Sequence, residues 1–318
     1  MLKTVLAALS ASLLVLAVPV SAQTKPLRVG ISSPESNNPF HVALARSIAA
    51  TLKERGIEPL LLSANADVAA QVNNIGDLVA AKVDAILVAP LDEEGAVQAV
   101  QRAKAAGIPV FMYARALDQK YSDLWLSFVG MDAVAVGTAK GQWLVANASP
   151  GKVAMLTGPA GAAPMLEQER GFRKVIESKG FKVVFAQPSQ QTRERGIKLA
   201  EDALVAHRDL VAIYASNDDL ALGAAQAVKS AGLKGKVLTM GLNGSPTALA
   251  AVHSGDMAAT VLLDPVAWGK TAANTVADYL QNKQTPPRFI PMQHRTVGQS
   301  EAFDLIPPAL REKLGVKQ

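Results

Sequence analysis

Cysteine is absent from the 318 residues. No disulfide, thiolate-held metal or lipid on a cleavage-site cysteine can therefore shape or anchor the chain. Aromatic residues make up only 5% of it. Lys and Arg form no run and have no aromatic interleaving, so a formal net charge of +5 gives little footing for nucleic acid. At most, that mild basic balance favours anionic ligands through long-range steering. Catalytic and metal-binding spacings are missing too. His41, His207, His253 and His294 are scattered, with no His-Glu-x-x-His pattern. There is no Gly-x-Ser-x-Gly elbow and no Gly-x-Gly-x-x-Gly loop. Gly158-Pro159-Ala160-Gly161 lacks the Lys-Ser/Thr that completes a phosphate loop. These absences argue against an enzyme and against a bound cofactor or metal.

What is present is aliphatic. The hydrophobic fraction is 49%, carried mostly by Ala, Val and Leu, as expected for buried parallel strands under Ala-rich helices. The length suits two domains better than one core. At the N-terminus, Lys3 precedes an apolar run from Val5 to Val20, followed by Val20-Ser21-Ala22. The run is short for a spanning helix, and no second candidate follows. It reads as a secretory signal peptide cut after Ala22 rather than a signal anchor. Export without cysteine points to a bacterial periplasm.

Apolar runs of strand length recur at Leu27–Ile31, Pro59–Leu62, Ala85–Ala89 and Val110–Tyr113. After a break at Leu126–Asp132, they resume at Lys152–Thr157, Val183–Ala186, Val211–Ala215, Val237–Gly241 and Ala258–Leu263. The intervening helical patterns stop at Gly56, Gly107, Gly180 and Gly232, each placed to supply a left-handed cap. Two successive βαβ series imply an α/β protein with two doubly wound parallel sheets. A last helical pattern, Val266–Gln281, precedes a Pro-rich extended piece, Thr285–Pro291. The tail after Glu301 carries Pro307 and Pro308 and is expected to pack on the surface or fray.

Ser32-Ser33-Pro34-Glu35-Ser36-Asn37-Asn38-Pro39-Phe40-His41 follows the first strand. Asn38 suits an N-cap and Pro39 the first helical position, so the stretch is a strand, a polar loop and a helix start. Small polar ligands bind at such carboxyl edges of open α/β sheets. Asn-Asn-Pro-Phe here resembles the opening loop of the ribose/galactose-type periplasmic sugar-binding proteins. So does Ser216-Asn217-Asp218-Asp219 before Ala221-Leu222-Gly223-Ala224, and so does Gly241-Leu242-Asn243-Gly244, where that family usually reads Gly-Phe-Asp-Gly. Tyr113-Ala114-Arg115 stands where the family commonly has Asp-Arg, and Gln168-Glu169-Arg170-Gly171-Phe172 where it often carries a ligand-binding Arg before Gly-Phe.

The resemblance implies two lobes around a ligand cleft, joined by a hinge that the chain crosses three times. The lobes would be 23–129 plus 264–291 and 130–263 plus 292–303, with 304–318 as a tail. It further implies a non-enzymatic solute-binding protein, monomeric and without a cofactor. Such a protein captures a monosaccharide, polyol or sugar acid and delivers it to the permease of an ABC importer. A ligand-binding partner for a chemotaxis or sensor-kinase receptor, or a binder of a non-sugar solute, is the alternative.

Carried onto this chain, the ligand-contacting positions are Ser33, Glu35, Asn38, Phe40, His41, Ala114, Arg115, Gln168, Arg170, Asn217, Asn243 and Leu263. Bland roles stand beside these. Asn217 suits a helix cap, Arg115 a solvated surface charge, and either Gln168 or Arg170 faces the cleft. The departures matter. Family acids are replaced by Ala114 and Asn243, while Ala89 and Leu263 stand where Asn and Gln are common. Fewer acids with Arg115 retained implies a ligand carrying a carboxylate or fewer hydroxyls than ribose or galactose.

Overall fold

The computed structural model describes residues 25–34, 39–160 and 163–317. The signal-peptide segment, Glu35 and Asn38 lie outside these described residues. The first sheet takes strands β1 (Arg28–Ser33), β2 (Glu58–Ser63), β3 (Ala85–Val88), β4 (Val110–Tyr113) and β5 (Ser127–Gly130). Between the first four strands run α1 (Pro39–Glu54), α2 (Val68–Ala80) and α3 (Glu93–Ala105). The second series comprises α4 (Ala133–Asn147), β6 (Lys152–Thr157), α5 (Ala163–Glu177), β7 (Lys182–Pro188) and α6 (Arg193–Ala206). It continues through β8 (Leu210–Ala215), α7 (Asp218–Ser230), β9 (Leu238–Asn243), α8 (Pro246–His253) and β10 (Ala259–Leu263). Then come α9 (Pro265–Asn282), β11 (Phe289–Pro291), β12 (His294–Val297), α10 (Gln299–Leu305) and α11 (Pro308–Arg311).

Strand order is β11-β5-β4-β3-β1-β2 in one sheet and β12-β10-β9-β8-β6-β7 in the other. Apart from the last-joined strands β11 and β12, the two orders are the same when β1 is matched to β6, β2 to β7 and so on. The first sheet is wholly parallel. In the second, only β12 runs antiparallel, against β10. The central strands β3 and β4 are buried at every residue, which is why they read as unbroken apolar runs. Gly56, Gly107, Gly180 and Gly232 have φ between +70° and +85°, the left-handed caps their spacing predicts.

One element differs from expectation, and the tail takes one of the two courses open to it. The break at Leu126–Asp132 contains a strand, β5, which pairs between β4 and β11. Ser127 and Gly130 interrupt its apolar pattern, and burial of Ser127 is made tolerable by Oγ donating to Pro287 O at 2.7 Å. The tail packs rather than frays. Leu310, Leu314 and Val316 cover the second core, and His253 Nε2 lies 2.8 Å from Lys317 O.

The chain passes between sheets three times: from Gly130 to Ala133, from Leu263 to Pro265, and from Pro291 to His294. Every passage starts at the carboxyl end of a strand. Helix α9 nevertheless belongs with the first sheet. Its Gly269 abuts Leu44 O and Ser47 of α1, and Arg55 donates to Asn274 Oδ1, Asp278 Oδ1 and Gln281 Oε1 at 2.9, 2.8 and 3.0 Å.

Candidate ligand cleft

Because all three passages leave from carboxyl ends, those edges of the two sheets flank the connecting segments, and the sequence-predicted residues gather along them. On the first sheet, Ser33 ends β1 and is buried. Tyr113 closes β4, and its hydroxyl donates to Ser32 O at 3.2 Å, tying β4 to β1. Burial drives the Tyr113 phenol far above its ordinary range, so it stays protonated. The next residue, Ala114, sits at φ +57°. That left-handed turn sends Arg115 back over the edge, where its Nη2 lies 3.3 Å from His41 Nε2. A neutral His41 protonated on Nδ1 accepts from the guanidinium in this geometry. Phe40 meets His41 edge-to-face at 5.5 Å between ring centroids, and meets Trp268 of α9 at the same distance. Phe40, His41 and Arg115 thus form one cluster of aromatic face and cation.

The second sheet presents a matching edge. Asn243 ends β9, the counterpart of β4, and has φ +120°. Positive φ thus recurs at the same point of both sheets, at Ala114 and Asn243. Asn217 caps α7. Its Oδ1 accepts from Leu220 N at 2.9 Å and its Nδ2 donates to Gln191 O at 3.2 Å. One lone pair and one N–H of the amide remain beyond the cap. Capping and ligand contact are therefore compatible at Asn217. Gln168 is fully buried on α5, with Oε1 accepting from Tyr214 OH at 3.4 Å, whereas Arg170 is exposed on the same helix. Leu263 is buried in a core shared with Trp268 and Met292, so packing is its principal role.

Three functional-looking groups escaped sequence reasoning. Lys140 of α4 is wholly buried and donates from Nζ to Ala215 O at 2.6 Å. Asp218 of α7 is buried as well, and takes Thr260 Oγ1 at 2.6 Å and Ser245 N at 2.7 Å. It thereby holds the Gly244–Ser245 turn that carries Asn243. Burial pushes the Asp218 carboxyl up to about 6 and the Lys140 ammonium down to about 7. Gln191 Nε2 donates to Ser216 Oγ at 2.9 Å and braces the loop after β8. The one signal for Lys140 is its place on the stripe Val136, Gly137, Lys140, Gly141, Leu144, all of which are buried. Asp218 reads from sequence as one more capping acid.

Residues 29–284 match the family model described as a periplasmic binding protein domain. A ribose import binding protein of Bacillus subtilis is 32% identical over 265 residues, which is 83% of this chain and 85% of the relative. A galactofuranose-binding protein of Escherichia coli is 32% identical over 252 residues, 77% and 79% of the two chains. Among solved structures, a periplasmic ribose ABC transporter protein from Conexibacter woesei superposes with TM-score 0.85 at 28% identity, covering 91% of this chain and 97% of that one. The periplasmic binding component of an arabinose ABC transporter from Shewanella, bound to α- and β-L-arabinofuranose, gives TM-score 0.79 at 29% identity, covering 92% and 99%. On the family match, the sequence identity and the shared fold, the chain belongs to the periplasmic binding proteins.

Proposed function

We propose that this chain captures a small, hydroxyl-rich solute between its two carboxyl edges and delivers it to the permease of an ABC importer. The observation that carries the reading is the placement of all three inter-sheet passages at carboxyl ends. A ligand bridging Arg115 and Phe40 on one edge and Asn217 and Asn243 on the other favours closure by binding the closed form more tightly. The relatives named above bind ribose, galactofuranose and arabinofuranose, which supports a carbohydrate-sized ligand. The lobes would be 23–129 plus 264–291 and 130–263 plus 292–303, with the tail seated on the second. Export by cleavage after Ala22, a periplasmic location, a monomeric state and binding without catalysis complete the proposal.

A thermal-shift series against neutral sugars, polyols, sugar acids and unrelated solutes tests it. A ligand bound only by the folded protein raises the melting temperature, by the equivalent of about 2.7 kcal/mol at a hundredfold excess over Kd. One carbohydrate class should raise it, and Arg115→Ala should abolish the rise. No shift from any carbohydrate, with a shift from another solute class, contradicts the reading.

A further inference from the structure

The stripe along which α4 packs would be apolar but for Lys140. The fully buried ammonium lies 3.7 Å from the Tyr214 ring centroid and donates one hydrogen bond, to Ala215 O. The ring face takes up part of the remaining charge, and the ammonium keeps donor capacity beyond its one hydrogen bond. Gln168 reaches the same tyrosine from α5. Its Oε1 accepts from Tyr214 OH, while its Nε2 is buried without an acceptor. The close approach of the two helices explains why both side chains end there. Gly137, one turn before Lys140, lies against the Gln168 carbonyl with no room for a Cβ.

Donors therefore outnumber acceptors around Tyr214. The nearby acids are already engaged. Asp218 of α7 takes Thr260 and Ser245, and Glu169 of α5 is hydrogen-bonded to Thr157. Asp218 of α7 acts on the Lys140 charge directly, Tyr214 of β8 faces it with its ring, and Glu169 of α5 acts on Tyr214. An unpaired buried donor carries its whole desolvation cost, so such groups persist where a ligand, ion or water supplies the acceptor. The cluster lies at the carboxyl edge. Ala215 is the last residue of β8, and the Ser216–Asn217 loop follows it directly.

We propose that Lys140 is a specificity-determining residue, which with Gln168 matches the second lobe to a carboxylate on a sugar-sized ligand. The proposal rests on the solute-binding reading. Lys140 acts from beneath the Ser216–Asn217 loop, through the charge and donors it places there. Burial lowers its ammonium to about 7, and an arriving anion favours the charged form again. Binding therefore takes up protons just above neutrality, and affinity for the anion falls as pH rises through that range. Ionisation of Asp218 as pH rises through about 6 opposes an anion in the same direction.

The test is calorimetric titration of the whole protein with aldonates, uronates and the matching neutral sugars. It is run from pH about 6.5 to about 8.5 in buffers of differing ionisation enthalpy. A sugar acid should bind at least about tenfold more tightly than its neutral counterpart at the lower pH, with proton uptake. Lys140→Met should remove that advantage and flatten the pH profile, while leaving neutral-sugar affinity within about threefold. Should Lys140→Met fail to fold, proton uptake by the unsubstituted protein decides. A neutral sugar bound more tightly than its acid, without proton uptake, overturns the proposal and leaves sugar binding standing. So does a Lys140→Met protein with an unchanged pH profile. Binding by no sugar and no sugar acid removes the solute-binding reading and this proposal together.

Discussion

At the scale of single residues, the unusual energetics sit in Lys140 and Asp218, two buried charges that pack no better than apolar residues of their size. Between pH 7 and the model-peptide value of 10.5, the unfolded chain keeps a proton on Lys140 that the folded chain has lost. Stability therefore rises with pH through that window. Between 3.8 and about 6, the folded chain keeps a proton on Asp218 that the unfolded chain has lost, so stability falls as pH rises there. These two groups place a minimum near pH 6–7. Lys140→Met should stabilise the fold at neutral pH by a net of about 2 kcal/mol after losing the bond to Ala215 O, read as a higher guanidinium midpoint. It should also abolish the rise above pH 7, and an unchanged alkaline limb would contradict the assignment.

A second prediction concerns the missing acid beside Arg115. Ala114→Asp restores a carboxylate at a left-handed position that Asp tolerates. It should weaken an anionic ligand by about tenfold or more and strengthen a neutral, hydroxylated one. Titration of the variant against both ligand types reads the outcome.

Much of this scale was hidden in the sequence. Positive φ at Ala114 and Asn243 leaves no trace in residue type at Ala114. A buried lysine looks like any helix lysine unless its neighbours on the stripe are known to be buried. The positions of Arg115, Phe40 and Asn217 at the carboxyl edges were legible because each ends or follows an apolar run that had to be a strand.

At the scale of elements, helix pairs are pressed together by glycine. Gly137 of α4 faces Gln168 O, and Gly223 of α7 faces Arg193 O of α6, where an added Cβ would stand 1.9 and 2.2 Å from those oxygens. Gly137→Ala should therefore destabilise by about 3 kcal/mol, because backbone cannot yield as a side chain can. It should also displace Gln168 from Tyr214, while Gly76→Ala, with open space around it, should be neutral or stabilising. Comparing the melting temperatures of the two variants checks this.

Element boundaries were mostly readable from apolar runs and glycine stops. The exceptions have physical reasons. Strand β5 is short and spoiled by Ser127 and Gly130, so only its neighbours β4 and β11 define it. Strand β12, His-Arg-Thr-Val, carries one buried residue and pairs because the short return from Pro291 lays it beside β10. The docking of α11 and the segment after it depends on a surface groove beside α8 that local sequence cannot express.

At the scale of the whole molecule, two sheets with the same core strand order are joined, among the described residues, where their carboxyl ends emerge. The two series were visible as repeating βαβ punctuation. The three passages came from the family resemblance, because contacts between α9 and α1, more than two hundred residues apart, leave no local pattern. On the proposed reading, a ligand gripped by both edges draws the lobes together, because it binds the closed form more tightly than the open one. Small-angle X-ray scattering, with and without a saturating amount of the solute that gives the largest thermal shift, tests this most directly. The account predicts a smaller radius of gyration with ligand, and no such change for Arg115→Ala at the same ligand concentration. Saturated protein scattering identically to the free form would contradict capture between the lobes.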